Sequence, residues 1–275
     1  MNFDLTYIPE RTVQPRNSGV TMVMDKGLSL REAENFIEGA GHLTDVVKLG
    51  FGTSFVTPNL SEKIELYKSA GLRPYFGGTL FEAFFARGMY EDFLRLLDKY
   101  QLDLAEISDG SIIINHDEKC ELIHSLSKDR TVLSEVGSKD SGIIVSPAKW
   151  IKMMSTELEA GSWKVIAEGR ESGNVGVFRP NGTAHTLLIN RIIAKVDPDS
   201  ILWEAPIKKQ QAWFVKLFGH NVNLGNISPN EVIPLETLRI GLRGDTFFDF
   251  LPKDYAERLK QVNSEDEEEL MEEDE

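Results

Sequence analysis

Glutamate, lysine and arginine recur in this sequence where a short apolar run gives way to a turn. Asp25 and Lys26 close GVTMVMDKG (19–27), and Lys48 sits in DVVKLGFG (45–52) beside Gly50 and Gly52. Glu106 and Asp109 mark LAEISDG (104–110), and Glu135 and Lys139 mark TVLSEVGSK (131–139). WKVIAEGRESG (163–173) turns densely ionic, with Glu168, Arg170 and Glu171 in four positions. ILWEAP (201–206) brings Glu204, with Lys208 just beyond, and NVNLGNI (221–227) brings Asn223 and Asn226. Several carboxylates suit a hard divalent cation such as Mg²⁺, which takes one or two of them and keeps waters. Several cations suit an anionic substrate, because a guanidinium fork grips carboxylate or phosphate at two points. Lys26, Lys48, Arg170, Lys208, Arg239 and Arg243 are the candidates for that task. Together the two sets point to a small polyanion handled with a metal's help. The rival reading is a purely structural salt-bridge network, since buried charges are costly unless they pair or bind something. Charges drawn from six run ends favour a ligand.

The elements that must position these residues follow from the spacing. Eight apolar runs, including RPYFGGT (73–79), alternate with amphipathic helical segments at βα-unit intervals. Helix boundaries carry clear signals. Ser29 with Glu32 makes a capping box, Ser146-Pro147 places a capping hydroxyl before proline at the first helical position, and Gly161 and Gly71 stand just past two helix ends. Eight βα units in this length predict a (β/α)8 barrel. A doubly wound dinucleotide fold would carry Gly-x-Gly-x-x-Gly after its first strand, and DKGLSLREAENF lacks it. In a barrel the strands' C-terminal ends hold the active site. Strand alternation lets Glu135 and Lys139, four apart, and Glu168 and Arg170, two apart, project to one side, while Glu171 points the other way.

Composition bounds the rest. The chain has 275 residues, 41% hydrophobic and 27% charged, enough to bury a large core without disulfides. Its one cysteine, Cys120, reads as a structural thiol in a helix, and a cytoplasmic, soluble protein is expected. No run approaches membrane-span length and the N-terminus has no secretory pattern. The tail 265–275 holds nine acidic residues of a net −14, leaving −5 on residues 1–264. It reads as disordered and solubilising, with a basic partner as the alternative. No basic face suggests nucleic acid. The expected organisation is an N-terminal extension (1–18), a single barrel domain (19–262) and an acidic tail (263–275).

Other features carry less. His42, His116, His124, His185 and His220 lack metal-ligand spacing and read as surface or packing residues. FEAFFARGMYEDF (81–93) reads as helix core. The glycine-rich FGGT and NLGN could offer phosphate-binding amides, as loops near the last barrel strands often do. There is no Gly-x-Ser-x-Gly elbow, Walker loop or cysteine-based metal motif.

The segments TMVMDKG, VKLGFGTS, GGTLFE, EISDG, EVGSK, EGRESG, WEAPIKKQQAWFVKLFG, NVNLGNI and LRIGLRGDT resemble the phosphosulfolactate synthase family, in order, from about residue 16 to 246. The resemblance implies a Mg²⁺-dependent lyase-class barrel that adds sulfite to phosphoenolpyruvate, giving (2R)-phospho-3-sulfolactate, the opening step of one coenzyme M route. It also implies roles. Glu106, Glu135 and Glu168 would ligate or orient the metal; Lys26, Lys48, Arg170, Lys208, Arg243 and Asn226 would hold the anions. Lys139 would be the general acid, protonating a carbon next to a metal-stabilised aci-carboxylate, with Arg170 beside it at the reacting centre. A homo-oligomer is the expected assembly. The rival readings are a barrel acting on another phosphorylated enol and a non-catalytic relative similar to the plant heat-stress-associated branch. Retention here of Asp25-Lys26, Glu135, Lys139 and EGRESG favours the enzyme.

Overall fold

Each apolar run becomes a strand of four to six residues, too short to stand alone and stabilised by its neighbours on both sides. The computed structural model describes residues 2–137, 145–170 and 172–259. The strands are β1 (Thr21–Asp25), β2 (Val46–Leu49), β3 (Arg73–Phe76), β4 (Leu104–Ile107), β5 (Thr131–Val136), β6 (Lys164–Ala167), β7 (Ile201–Glu204) and β8 (Leu224–Ile227). All pair in parallel in the order β3-β2-β1-β8-β7-β6-β5-β4, so the last strand joins the first and the sheet curls into a nearly closed barrel. The seam between β3 and β4 is stitched by side chains. Tyr75 Oη donates to Glu106 Oε2 at 2.8 Å and the Gly78 amide donates to Glu106 Oε1 at 2.6 Å. At the opposite end Arg73 reaches Asp103 at 2.8 Å.

Helices cover the outside: α1 (Leu30–Ala40), α2 (Leu60–Ser69), α3 (Gly78–Phe85), α4 (Tyr90–Lys99), α5 (His116–Leu126), α6 (Pro147–Glu159), α7 (Thr186–Ile193), α8 (Lys208–Phe218) and α9 (Val232–Arg239). The capping box at Ser29 and Glu32 forms, and Ser146 accepts from the Lys149 amide ahead of α6. The expected helix core at FEAFFARGMYEDF is present but broken in two. Gly88, at φ 67°, turns the chain between α3 and α4, and Phe81 meets Phe93 edge-on at 5.6 Å. This extra helix gives nine among the described residues, where one per strand gives eight.

Inside the barrel, Val20, Met22, Val46, Tyr75, Leu104, Leu133, Ile166 and Leu202 form a closed apolar plug. A larger apolar layer lies between sheet and helices. Alternation then dictates what comes next: two residues beyond six of the plug residues stand Met24, Lys48, Glu106, Glu135, Glu168 and Glu204. The plug thus forms a floor, and a charged ring stands on it.

The opposite rim is bound by residues that precede β1. Arg11 donates to Asn221 Oδ1, to the His220 carbonyl at 3.0 Å and to Glu236 at 2.9 Å. Arg16 pairs with Asp45 at 3.1 Å, and Lys164 donates to the Asn17 carbonyl at 2.6 Å. Arg239, fully buried, donates to the carbonyls of His220 and Val222 on this same rim, and Asn223 satisfies Val20, Asp199 and Ile201 there. Both had been expected at the mouth. Arg239 instead ends α9, and Asn223 precedes β8 rather than following it. Among the described residues no helix is long and apolar enough to cross a membrane.

Candidate active site

The charged ring lines a cavity of about 410 Å³ at the C-terminal ends of the strands, walled by Met24, Lys48, Phe51, Thr79, Glu106, Ser111, Glu135, Glu168, Arg170, Ser172, Glu204 and Asn226. Six of the expected site residues therefore meet in one place: Lys48, Glu106, Glu135, Glu168, Arg170 and Asn226. Glu204, noted at its strand end but given no role, completes a set of four buried glutamates.

Lys48 stands at the centre of the floor. Its Nζ lies 3.0 Å from Glu106 Oε2 and 3.6 Å from both Glu135 Oε2 and Glu204 Oε1. Burial alone would depress this ammonium's pKa, but the carboxylates of Glu106, Glu204 and Glu135, together with Tyr75, hold it well above the usual lysine value. The Tyr75 hydroxyl is pushed up by burial and by the Glu106 carboxylate it bonds. It is a fixed neutral donor.

The EGR turn does what its dense charge suggested. Glu168 faces the cavity, the Gly169 amide donates to Glu204 Oε2 at 3.0 Å, and the Arg170 amide donates to Glu168 Oε1 at 2.6 Å. Arg170 holds φ 54°, an uncommon conformation for a residue with a Cβ, and this turns its side chain to the cavity rim. Two glycines make room for Glu168: a Cβ at Gly137 would stand 2.4 Å from the Glu168 Cβ, and one at Gly176 would stand 1.9 Å from its carbonyl oxygen. Asn226 likewise holds φ 56° and lines the cavity, its Oδ1 buried without a hydrogen-bond partner among the described residues.

Neighbouring charges brace the loops. Asp25 turns outward to Lys63 at 2.8 Å and Tyr67 Oη at 2.9 Å, and accepts the Gly27 and Leu28 amides. Asp109 pairs with Lys119 at 2.8 Å. Glu82 of α3, which the sequence reading passed over, accepts from Ser108 Oγ and from the Gly110 and Ser111 amides at 3.0 Å each. It fixes the loop that carries Ser111 into the cavity. Besides Arg239, three expected anion binders lie elsewhere. Lys26 is exposed past β1 and outside the cavity lining. Lys208 and Arg243 line a separate surface cavity with Glu231 and Thr237, where Lys208 pairs with Asp245 at 2.6 Å. Lys139 and Glu171 fall outside the described residues.

Among the described residues no three His, Cys, Asp or Glu side chains form a ready cage for a metal. The donor set nevertheless suits Mg²⁺ in its usual mode, with few protein oxygens and the remainder from water and substrate. Among the described residues the lining offers four buried carboxylates and the Asn226 Oδ1, which has no hydrogen-bond partner there, and includes neither histidine nor cysteine. Tyr75, Gly78 and Lys48 all contact the two oxygens of Glu106.

The family model described as (2R)-phospho-3-sulfolactate synthase (ComA) matches residues 9–245. A phosphosulfolactate synthase of Bacillus subtilis is 39% identical over 251 residues, covering 90% of this chain and all of the relative. That of Methanocaldococcus jannaschii is 42% identical over 236 residues, covering 83% and 94%. Among solved structures, 3-hexulose-6-phosphate synthase from Salmonella typhimurium superposes with a TM-score of 0.54 at 11% identity, covering 82% of this chain and 100% of that one. That likeness concerns the barrel fold alone. The two sequence matches span almost the whole barrel, and on them the chain belongs to the (2R)-phospho-3-sulfolactate synthase family.

Proposed function

We propose that this protein joins sulfite to phosphoenolpyruvate in a Mg²⁺-dependent reaction, giving (2R)-phospho-3-sulfolactate. The observation that carries the reading is one cavity in which four buried glutamates and the cations Lys48 and Arg170 face each other, in a chain of this family. A small trianion and a second anion need cationic anchors, and an oxygen-rich wall suits a metal that offsets their charge.

The sulfur lone pair of sulfite forms a bond to the methylene carbon as the carbon–carbon double bond opens. The displaced electron pair moves through the adjoining carbon onto the substrate carboxylate. A proton then reaches that carbon, so hydrogen sulfite is added across the double bond and the phosphate ester stays intact. Lys139, three residues past β5, is the proposed proton donor on the strength of the family resemblance. Arg170, at the rim, grips an anionic group of the substrate with its planar fork. Glu135, Glu168 and Asn226 would hold Mg²⁺, which supplies positive charge where the substrate carboxylate takes up the electron pair. Thr79, Ser111 and Ser172 line the same wall and offer hydroxyl donors to the remaining oxygens. Phosphorus NMR of the purified protein with phosphoenolpyruvate, sulfite and Mg²⁺ tests the reading. A new phosphate-ester resonance that needs all three additions is expected; its absence at high enzyme concentration would remove the proposal.

A further inference from the structure

Two adjoining cavities at the mouth differ in kind. The charged one, of about 410 Å³, holds the four glutamates. The other, of about 350 Å³, is an apolar groove walled by Phe55, Met89 and, from α3, Leu80 and Phe84. Phe51 and Thr79 line both, so among the described residues these two form the partition. The backbone holds that partition in place. Phe51 has φ 56°, an uncommon conformation for a bulky residue. The turn that imposes it is pinned at Gly50, whose amide donates to the Asp25 carbonyl at 3.1 Å. The Gly50 carbonyl in turn accepts the Thr53 amide at 3.0 Å and the Thr53 hydroxyl at 2.8 Å. Met24 fills the space beside Gly50, where a Cβ would collide with its sulfur. Among the described residues Met24 and Phe51 are the two apolar side chains in an otherwise polar lining.

Phosphoenolpyruvate has a matching asymmetry. Its carboxylate and phosphate carry charge, and only its methylene end is apolar. Burying a charged group against hydrocarbon is costly, so the methylene end belongs on the side of Met24 and Phe51. Sulfite approaches the methylene carbon perpendicular to the enol plane, so a wall at the edge of that plane leaves the attack unobstructed. We propose that Phe51 is a specificity-determining residue, whose ring closes the cavity against enol phosphates that carry a substituent on the methylene carbon. Room for such a substituent exists behind the ring, in the apolar groove, and Phe51 withholds it. Rejecting a larger homologue by a clash is a general route to specificity. The inference rests on the proposed reaction for the identity of the substrate.

Phosphoenolpyruvate and its (Z)- and (E)-3-methyl homologues, each offered with sulfite and Mg²⁺, test the proposal. The wild type should favour phosphoenolpyruvate over both homologues by roughly 10–200-fold in kcat/KM, the range set by one methyl-sized group. Phe51→Ala should cut that preference by about tenfold or more for at least one homologue, and Phe51→Leu by less. Phe55→Ala, which alters the groove and not the charged cavity, should keep the wild-type preference. A Phe51→Ala preference within about threefold of the wild type overturns the proposal. So does a wild type that takes the homologues as readily as phosphoenolpyruvate, or a Phe55→Ala protein that matches Phe51→Ala. If the wild type makes no product from phosphoenolpyruvate, the reaction proposal fails by itself. Calorimetric affinities of the three enol phosphates with Mg²⁺ then decide the role of Phe51 by the same ratios, and binding of none of them removes it as well.

Discussion

Lys119 Nζ donates to the main-chain oxygen of Glu135 at 2.6 Å, tying helix α5 to the end of strand β5 beneath the active-site mouth. The same nitrogen meets Asp109 at 2.8 Å and Glu157 at 2.9 Å, and Lys119 and Glu157 are fully buried. Burial works against the ammonium, and the Glu157 and Asp109 carboxylates outweigh it, raising the pKa above the ordinary lysine value. The backbone that presents Glu135 is therefore anchored by an ion cluster outside the cavity. Lys119→Met should lose about 3–5 kcal/mol of unfolding free energy in urea, because the Glu157 carboxylate is left buried, and the partly exposed Asp109 beside it, with their cation removed. A loss below about 1 kcal/mol would show that the cluster carries no such load.

Gly137 separates β5 from the residues that follow, at φ 141°, and its α-carbon lies against Glu168. In Gly137→Ala the new methyl would meet the Glu168 Cβ and, at 3.1 Å, the ring of Trp150. Glu168 should move, and turnover should fall roughly 10²-fold, the usual consequence of misplacing a reacting group by about 1 Å. Gly39→Ala, where no atom stands within 4 Å, is the matched control and should retain full activity.

Arg170 and Lys139 should separate binding from chemistry. Arg170→Met should weaken phosphoenolpyruvate binding by roughly 10–100-fold in calorimetry without sulfite, the scale of a lost charged hydrogen bond. Lys139→Ala should leave that affinity within a few-fold while turnover drops about 10²–10⁴-fold, the reach of a general acid. Equal effects of both on binding would remove the division of labour.

Lys164 makes the far rim sensitive to alkali. Its ammonium donates to the carbonyls of Asn17 and Asp199 at 2.6 and 2.7 Å, and burial lowers its pKa to about 8 from the usual 10.5. Between those two values the unfolded chain holds a proton that the folded chain has released, so this residue's contribution to stability rises with pH across that window. The difference in melting temperature between wild type and Lys164→Met should therefore shift in favour of the wild type from pH 8 to 10. A constant difference would place the folded pKa at the ordinary value.

The barrel was legible because its signals are local: eight apolar runs, capping at Ser29 and Ser146, and glycines just past helix ends. The ring of Lys48, Glu106, Glu135, Glu168 and Glu204 was legible for the same reason, since alternation from an apolar floor fixes which way each points. The misplacements have a physical cause too. Asp25 neighbours Met24 on one strand, so alternation turns it outward to Lys63, while Lys208 begins a helix beyond its strand and faces Asp245. Asn223 and Arg239 carry polar groups suited to either rim, and only the three-dimensional closure assigns them to the lower one. Glu82 sits in a helix that reads as apolar core, and its hold on the Ser111 loop depends on contacts 26 to 29 residues away.

The strap that precedes β1 also sets an order of assembly. Arg11 finds Glu236 across 225 residues and Asn221 across 210, so its partners leave the ribosome long after it does. The lower rim is thus sealed by segments far apart in the chain, after the intervening βα units have been made. A nascent chain stalled before Asn221 would present Arg11 with neither of these partners, which makes the strap a built-in register of whether the barrel has been completed.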